Sequence, residues 1–400
     1  MIETDVLVVG AGPAGAAAAI QLAHNGVDVT VIDKMAFPRD KTCGDGLTTL
    51  ALRLLEELGL SSTAVESWCD VGNVWMRSPS GREVGLDLPS GRGRYAAVTK
   101  RFDLDAALVD LARSAGASVL EGSTLRTLTP AAGAVTVGLA DEETIRARYV
   151  IAADGMWSPT RKALGLDVPG YRGDWHAARQ YRSATGERSR DLWVWFEDDL
   201  LPGYAWSFPL PNGEVNVGFG IVRNDSMSGK AFAAVWRELF DRPHIREVLG
   251  ETEELSPYRA WPIPARLPQM TLTGPRTLFV GDAAAATDPM TGEGIGQALE
   301  TGMLAASAIS ERDAGRPADV LSTYRSTAKK SLAADHHMAS ALSRVLGSRV
   351  ATNAALRTVS ATGWTRRNFA RWMFEDYPRA LLATPRRWSR GALSRPGADL

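Results

Sequence analysis

The chain of 400 residues predicts an α/β (α+β) fold, in which a discontinuous parallel-sheet domain carries an inserted antiparallel β-sheet domain and a C-terminal helical region. Three observations lead to this prediction. A glycine-rich turn joins an apolar strand to a helix near the N-terminus, and two later strands end in Asp-Gly or Gly-Asp turns. Aromatic stretches with alternating patterns separate these segments, which indicates antiparallel strands inserted into the first domain.

The composition narrows the classes of function. Lys and Arg (45) balance Asp and Glu (46), and hydrophobic residues make up 45% of the chain, which excludes global disorder and argues against nucleic-acid binding. Cys43 and Cys69 are too few for a disulfide framework, and their spacing fits no metal site. No segment is typical of a signal peptide or a membrane span. We therefore expect a cytoplasmic protein without a metal ion.

The first element is a nucleotide-binding turn. Residues 5–10 form a Val-rich strand, Gly10, Gly12 and Gly15 follow in a G-x-G-x-x-G pattern, and a helix and a second strand ending at Asp33 come next. Gly10 permits the tight turn, Gly12 lets the backbone approach a pyrophosphate, and Gly15 lets helix and strand pack closely. Asp33 is placed to accept hydrogen bonds from a ribose. The pattern predicts a Rossmann-type dinucleotide-binding domain.

Two further turns follow strands later in the chain. One strand ends at Asp154 and another at Asp282, and the second precedes a long Ala-rich helix that opens at Gly294 and Ile295. A separate helical segment starts with Arg101 and reads R-x-x-L-D-x-x-L. Taken singly, each turn is an ordinary β–α connection, in which Gly and Asp are common.

Together, in this order and spacing, the motifs resemble the flavoprotein monooxygenase and reductase superfamily typified by para-hydroxybenzoate hydroxylase. The resemblance implies FAD, rather than NAD, as the cofactor. It implies that Asp282 contacts the ribityl chain, that the amides near Gly294 and Ile295 face the flavin ring, and that Leu125 lies near the adenine. The cofactor-binding residues that it suggests are Gly10, Gly12, Ala14, Gly15, Asp33, Lys34, Arg39, Cys43, Gly44, Gly46, Arg101, Leu125, Asp154, Asp282, Gly294 and Ile295.

The cofactor segments are interrupted twice by stretches rich in aromatic residues, Gly and Pro. The predicted domains are an FAD-binding domain (1–67, 99–167 and 273–325), an antiparallel substrate domain (68–98 and 168–272) and a basic, aromatic, helical tail (326–400).

Two motifs narrow the family. The loop after the second strand reads F-P-R-D-K-T-C-G-D-G-L over residues 37–47, and the insert contains L-P-G-Y-A-W-S-F-P-L over residues 201–210 and N-G-E-V-N-V-G over residues 212–218. Together they are similar to the geranylgeranyl reductase family of FAD-dependent oxidoreductases, and within it to actinobacterial menaquinone reductases. The resemblance covers roughly residues 3–325, and the tail matches poorly.

In that family the cysteine-glycine loop lies against the flavin ring, which implies active-site positions for Cys43, Gly44 and Gly46. Many members carry Cys-Gly-Gly, whereas Asp45 occupies the third place here; Cys-Gly-acid-Gly variants also occur. An ordinary buried thiol is the alternative role for Cys43.

Aromatic residues in the insert suggest an apolar substrate pocket. Tyr204, Trp206 and Phe208 alternate along one strand and share a face, and Trp193 and Trp195 share a face of another strand. Such faces suit an isoprenoid chain or a hydrophobic core equally, and the family resemblance favours the pocket. The predicted catalytic residues are Cys43, Tyr204 and Trp206. No His, Asp or Glu stands out as a proton donor, so none is assigned.

The resemblance implies a reductase that saturates isoprenoid C=C bonds, in a geranylgeranyl or menaquinone side chain, by hydride transfer from reduced flavin. The alternative is an FAD-dependent monooxygenase that hydroxylates or epoxidises an apolar natural product, since it shares all the FAD motifs. A non-enzymatic electron-transfer protein is a third reading. The chain shows no second nucleotide-binding motif, so the residues leave the electron donor undetermined. The resemblance implies NAD(P)H or another donor that binds transiently.

The chain from Arg344 onward is basic and aromatic, with eleven arginines against three acidic residues. Phe369, Trp372 and Met373 share one helix face by their spacing. Such a segment is typical of peripheral contact with an anionic membrane surface, here the inner face of the membrane. It is equally typical of surface helices packed by their aromatic residues. The sequence does not indicate an oligomeric state.

Overall fold

The structure, a computed structural model, describes residues 1–88, 93–223, 229–312, 316–374, 380, 384 and 397–400. It confirms the predicted α/β fold, because a sheet with a parallel centre and an antiparallel sheet lie on either side of one large cavity. Several residues of the basic tail lie outside the described residues, namely Tyr377, Arg379, Arg386, Arg387, Trp388, Arg390 and Arg395.

The strands follow the apolar and alternating runs of the sequence. In chain order they are β1 (Ile2–Val9), β2 (Val29–Asp33), β3 (Gly46–Thr48), β4 (Cys69–Asp70), β5 (Asn73–Arg77), β6 (Glu83–Asp87), β7 (Ala96–Val98), β8 (Ser118–Glu121), β9 (Leu125–Pro130), β10 (Val135–Leu139), β11 (Thr144–Ala152), β12 (Trp175–Ala184), β13 (Leu192–Trp195), β14 (Tyr204–Pro209), β15 (Glu214–Val222), β16 (Thr252–Glu254), β17 (Arg259–Ile263), β18 (Thr273–Gly274) and β19 (Thr277–Phe279).

The helices lie between and after these strands. In chain order they are α1 (Pro13–His24), α2 (Thr49–Glu57), α3 (Arg101–Ser114), α4 (Pro159–Ala163), α5 (Gly229–Leu239), α6 (Pro243–Leu249), α7 (Ile295–Arg312), α8 (Pro317–Leu346), α9 (Arg349–Ser360) and α10 (Gly363–Phe374).

The first sheet has a parallel centre. Its strands run in the order β18-β19-β11-β1-β2-β8, and all neighbouring pairs from β19 to β8 are parallel. Val6, Leu7 and Val8 of β1 are fully buried, because helices or strands cover the sheet on both faces. Parallel strands bring their carboxyl ends to one edge, where α1 and α7 also begin. The cofactor motifs therefore meet at that edge.

The second sheet is antiparallel apart from one pair. Its order is β16-β12-β15-β14-β13-β5-β6, β17 also pairs with β12, and β13 runs parallel to β5. Two separate stretches of chain, 73–87 and 175–263, thus build one sheet. One face of the sheet faces the cavity, and the other packs against α5 and α6.

Three helices complete the wall of the cavity. α8 is a continuous helix of 30 residues, so the predicted domain boundary between residues 325 and 326 falls inside it. The hydroxyl of the fully buried Tyr324 donates to the carbonyl of Phe279, which fixes α8 to the first sheet. α9 and α10 pack near β6 of the second sheet. Within the described residues, the helices are too short or too polar to cross a bilayer.

Gly218 on β15 provides a test of how the second sheet is packed. A Cβ at this position would lie 2.3 Å from the Trp206 ring and 2.4 Å from the carbonyl oxygen of Ala178. Gly218→Ala is expected to lower the free energy of unfolding by about 1–3 kcal/mol, measured by urea denaturation, because the strand has to move. Gly220→Ala is the matched control, since its Cβ would meet the Trp175 ring at an ordinary 3.5 Å. Equal losses in the two variants would contradict this account.

Candidate active site

A cavity of about 760 Å³ lies between the two large sheets and the C-terminal helices. Its polar half, around Gly12, Asp33 and Asp282, is formed by the edge of the first sheet. Its apolar half, around Val74 and Leu192, is formed by β5, β13 and β14 of the second sheet and by α8, α9 and α10. The volume lies in the range of small-molecule sites in proteins.

The glycine turn forms part of the polar half. Gly10 has φ +101°, and a Cβ there would lie 2.4 Å from the carbonyl oxygen of Ala153, so only glycine fits. A Cβ on Gly15 would lie 1.8 Å from the carbonyl oxygen of Gly10, so this glycine allows α1 to pack on β1. α1 starts at Pro13, and Gly12 gives it no side-chain cap, which leaves the first helical amides open to a ligand.

Asp33 ends β2 at the same edge. Its carboxylate accepts hydrogen bonds from the backbone nitrogens of Ala11 at 2.8 Å and Met35 at 2.9 Å, which fixes its position. Lys34 and Leu125 also line the cavity. A fixed carboxylate at the end of the second strand is suited to bind the hydroxyl groups of a ribose.

Two guanidinium groups lie near the start of α1. A Cβ on Gly12 would lie 3.5 Å from a terminal nitrogen of Arg39 and 3.8 Å from one of Arg101. Arg101 donates two hydrogen bonds, of 2.6 and 2.7 Å, to the fully buried carboxylate of Asp105, and Arg39 lies 3.1 Å from the same group. Because two cations share one anion, a positive charge is left beside the helix N-terminus. This arrangement suits a pyrophosphate.

The later turns complete the polar half. Asp282 and Asp154 follow neighbouring strands of the first sheet, and both line the cavity. One oxygen of Asp154 accepts a hydrogen bond from the Thr160 nitrogen at 2.8 Å, and its other oxygen is buried without a partner. Burial raises the pKa of Asp154. Gly294 and Ile295 line the cavity at the start of α7.

The cysteine loop, residues 41–46, connects the two halves. Cys43, Gly44 and Gly46 line the cavity. A Cβ on Gly44 would lie 3.4 Å from the Phe208 ring, and one on Gly46 would lie 3.1 Å from it, so the loop lies flat against β14. Burial raises the pKa of the Cys43 thiol, which keeps the thiol in its neutral form.

Tyr204, Trp206 and Phe208 on β14 form an aromatic wall that lines the cavity. The centres of neighbouring rings lie 6.0 Å apart. The Tyr204 hydroxyl donates to the carbonyl of Thr291, and Nε1 of Trp206 donates to Oδ1 of Asn216 at 3.1 Å. Because these polar atoms are bonded within the protein, the ring faces are left for an apolar ligand.

Trp193 and Trp195 lie on the opposite face of the second sheet. Both are 0% exposed, their rings stack with centres 5.6 Å apart, and Trp75 stacks on Trp193 at 5.5 Å. They belong to the core beneath α5 and α6. The prediction that these two tryptophans line the substrate pocket is therefore wrong. Successive residues of a strand point to opposite faces, so Leu192 and Val194 line the cavity instead.

The apolar half continues into the C-terminal helices. It is lined by Leu346 of α8, Val359 of α9 and Phe369, Trp372 and Met373 of α10. The helix face expected from the spacing of these last three residues is present. It lines the cavity.

Comparison with known proteins shows the family. Residues 3–336 match a family model described as an FAD binding domain. The chain belongs to this family of FAD-binding oxidoreductases. It is 35% identical to a menaquinone reductase of Mycobacterium tuberculosis over 336 residues, which are 78% of each chain. It is 34% identical to digeranylgeranylglycerophospholipid reductase 1 of Methanopyrus kandleri over 316 residues, 76% of this chain and 80% of the other. The resemblance to the geranylgeranyl reductase family is thus confirmed.

A solved structure shares the fold of the whole molecule. It is that of a geranylgeranyl bacteriochlorophyll reductase-like protein from Thermoplasma acidophilum, with a TM-score of 0.78 and 24% identity. The alignment covers 96% of this chain and 99% of the other.

FAD is the cofactor of this family, and the polar half fits it. The uncapped start of α1 with Arg39 and Arg101 suits the pyrophosphate, Asp33 suits the ribose, and the unpartnered oxygen of Asp154 is a buried acceptor beside them. All predicted cofactor residues except Gly15 line the cavity. Within the described residues, no group of three or more His, Cys, Asp or Glu side chains is arranged to hold a metal ion.

Asp45 is a site residue to which sequence reasoning gave no role. It is fully buried in the cysteine loop, with φ +68°. Its Oδ2 accepts hydrogen bonds from the Tyr181 hydroxyl at 2.6 Å and from Nδ2 of Asn216 at 2.7 Å, and its Oδ1 has no partner. Burial raises the pKa of Asp45 to about 6, against the opposing effect of these hydrogen bonds. The sequence feature that could have indicated this role is the acid at position 45, where many members of the family have glycine.

Replacing Asp45 by Asn tests this shifted pKa. Asn tolerates the left-handed backbone and accepts both hydrogen bonds. The folded-state pKa of about 6 lies above the unfolded value of 3.8, so wild type loses stability as the pH rises through this range, whereas Asp45→Asn does not. Between about pH 4 and pH 7 we expect the stability of the variant to rise by about 2 kcal/mol relative to wild type. Urea denaturation of the FAD-saturated proteins measures the difference, and parallel pH profiles would contradict the assignment.

Proposed function

We propose that this protein is an FAD-dependent reductase that saturates C=C bonds in an isoprenoid chain, such as a geranylgeranyl or menaquinone side chain. The observation that carries the proposal is the continuity of the cavity. The aromatic wall leads directly from the cysteine loop into the aliphatic lining of β5, β13 and the C-terminal helices. FAD, when bound and reduced, supplies a hydride, and the protein has to place the double bond and exclude water.

The residues of the chain suit this task. The rings of Tyr204 and Trp206 offer flat apolar faces beside the cysteine loop, and Cys43 presents a neutral thiol there. We assign these three residues to the contact with the reacting double bond. The described residues of the apolar half carry no charge, so a hydrocarbon chain is stabilised there by roughly 25 cal/mol for each Å² of apolar surface buried.

The relatives support the same substrate class. Two of the proteins to which this chain is similar are called menaquinone reductase and digeranylgeranylglycerophospholipid reductase. Each name describes a reductase that acts on a molecule with an isoprenoid chain. We further propose NAD(P)H as the electron donor, bound transiently.

The first test is the mass of the product. Anaerobic protein reduced with dithionite, or with NADPH in a parallel sample, is expected to increase the mass of a digeranylgeranyl lipid, or of menaquinone whose ring has been reoxidised in air to the quinone before the measurement, by about 2 Da per C=C bond, since a hydride and a proton add to each bond. A gain of about 16 Da that requires oxygen would instead identify a monooxygenase. Flavin reoxidation without any change in lipid mass would identify an electron-transfer protein.

Val194→Asp places a charge in the apolar half and sharpens this test. We expect it to lower turnover at least about tenfold while FAD stays bound, because an unpaired carboxylate is costly in an apolar pocket. Val168→Asp, at a valine that is exposed, is the matched control.

We also propose that the C-terminal helices contact a membrane surface. Val345, Val350 and Trp364 are 55%, 78% and 67% exposed, and Arg344 and Arg349 are exposed beside them. Val345 also lines the cavity, so the apolar half reaches the surface at the end of α8. Apolar and basic side chains around such an opening suit a site where an isoprenoid chain leaves an anionic bilayer.

Vesicle sedimentation tests the membrane contact. Val350→Asp is expected to reduce binding to anionic phospholipid vesicles several-fold, because it removes apolar contact and adds a repelling charge. Val168→Asp changes the same residue type elsewhere and should bind as wild type does. Equal binding by all three proteins, with FAD content unchanged, would rule out this surface.

A further inference from the structure

We propose that Arg179, Lys41 and Trp261 bind the polar head group of the isoprenoid substrate through its acceptor oxygens. This head-group cluster fixes which way the chain lies in the cavity. The inference rests on the proposed function and deepens it. The three side chains line the cavity on β12, on the cysteine loop and on β17, at the edge of the second sheet opposite to β5.

Arg179 is the central residue of the cluster. Only 1% of its side chain is exposed. One terminal nitrogen donates to Asp40 and, at 3.4 Å, to the carbonyl oxygen of Lys41. The other terminal nitrogen and Nε are buried and have no partner. The guanidinium group also lies 4.3 Å from the centre of the Tyr181 ring, which holds its orientation.

A buried guanidinium group with unbonded N–H groups is unfavourable. Proteins bond nearly all of their buried polar groups, and a group that lines a cavity bonds to water or to a ligand there. Arg179 belongs to the second sheet, whereas Gly12, Asp33 and Asp282 of the FAD site belong to the edge of the first sheet. We assign the unbonded donors of Arg179 to the substrate, because β12 belongs to the sheet that carries the aromatic wall.

The neighbours of Arg179 are donors as well. Nζ of Lys41 lies 4.5 Å from the centre of the Trp261 ring, and Nε1 of Trp261 is buried without a partner. Asp40, the carboxylate of this region, is already shared by Arg179 and by Nε of Arg259 at 3.3 Å. A head group bound here has to bring acceptors and not donors.

The charges narrow the class of head group. Asp40 offsets one of the three basic groups Arg179, Arg259 and Lys41. Asp45 also interacts with Arg179, and burial lowers the pKa of Lys41. The small positive excess that is left suits acceptor oxygens with no charge or a single charge. The carbonyl oxygens of a quinone and the oxygens of a phosphodiester share this chemistry.

The position of the cluster sets the direction of the substrate. From β12 the sheet continues through β15 and β14 to β13 and β5, with strands about 4.8 Å apart. Gly218 of β15 is the partner of Arg179 in the sheet, and the Trp206 ring lies over Gly218, so a head group at Arg179 lies about one strand spacing, roughly 5 Å, from the aromatic wall and about 19 Å from β5. Along this path the lining changes from charged to aromatic to aliphatic. A molecule with one polar end and an apolar chain therefore fits the cavity in one orientation, with the polar end at Arg179 and the chain toward β5.

The test uses the FAD-loaded protein and three probes with the same geranyl chain. The probes are a geranyl naphthoquinone, geranyl methyl phosphate and the corresponding hydrocarbon without a head group. Binding to the oxidised protein is read from the change in flavin absorbance, which requires no turnover. Arg179→Met is expected to weaken binding of a headed probe about tenfold or more and to leave the hydrocarbon unchanged. The headed probe that loses affinity identifies the quinone or the phosphodiester as the source.

Trp261→Phe keeps the ring and removes one N–H, so it is expected to weaken the same probe by a smaller factor. Arg182→Gln is the matched control on β12, because Arg182 bonds Gln180 and Glu254 and does not line the cavity. Equal losses for headed and headless probes, loss of bound FAD, or no loss in Arg179→Met would each overturn the assignment. The proposed function fails separately, on the absence of a gain of about 2 Da, and head-group binding stays measurable in that case.

Discussion

Asn216 connects the two halves of the cavity, and the geometry of the site depends on it. Its Oδ1 accepts a hydrogen bond from Trp206, and its Nδ2 donates to Oδ2 of Asp45 and to the carbonyl oxygen of Cys43 at 2.9 Å. The residue is fully buried near the start of β15, so water cannot take the place of a lost partner. One amide thus fixes the cysteine loop against the aromatic wall.

Small residues around this amide make the arrangement sterically feasible. The indole of Trp206 lies across β15 because Gly218 has no side chain there. Gly44 and Gly46 let the loop approach the rings of Trp206 and Phe208. These glycines explain why a strand and a loop that carry so much aromatic surface still pack closely.

The cofactor half could be predicted from the sequence because its motifs are local. Gly10, Gly12 and Asp33 lie within one strand-helix-strand unit, and the family resemblance supplied the later turns. The lining of the apolar half could not be predicted from the alternation of residues along a strand. A period of two shows that Trp193 and Trp195 share a face, and it does not show which face of the sheet meets the cavity.

Long-range contacts account for the rest of what sequence reasoning missed. Asp45 acquires its role from Tyr181 and Asn216, which lie 136 and 171 residues further along the chain. The spacing of Phe369 and Trp372 predicts a shared helix face correctly, but an amphipathic pattern is the same for a face that covers a cavity and for one that covers a membrane.

Val345 lines the cavity and is also exposed on the molecular surface, so the length of an isoprenoid chain that the site accepts is not limited by the cavity volume. Within the described residues, the apolar half therefore reaches the surface at the end of α8. A chain that exceeds the cavity leaves its remainder outside, so total length does not decide whether it fits. In the proposed mode of binding, the head group is held by Arg179, Lys41 and Trp261. The distance of a double bond from the head group then decides whether it lies beside the flavin.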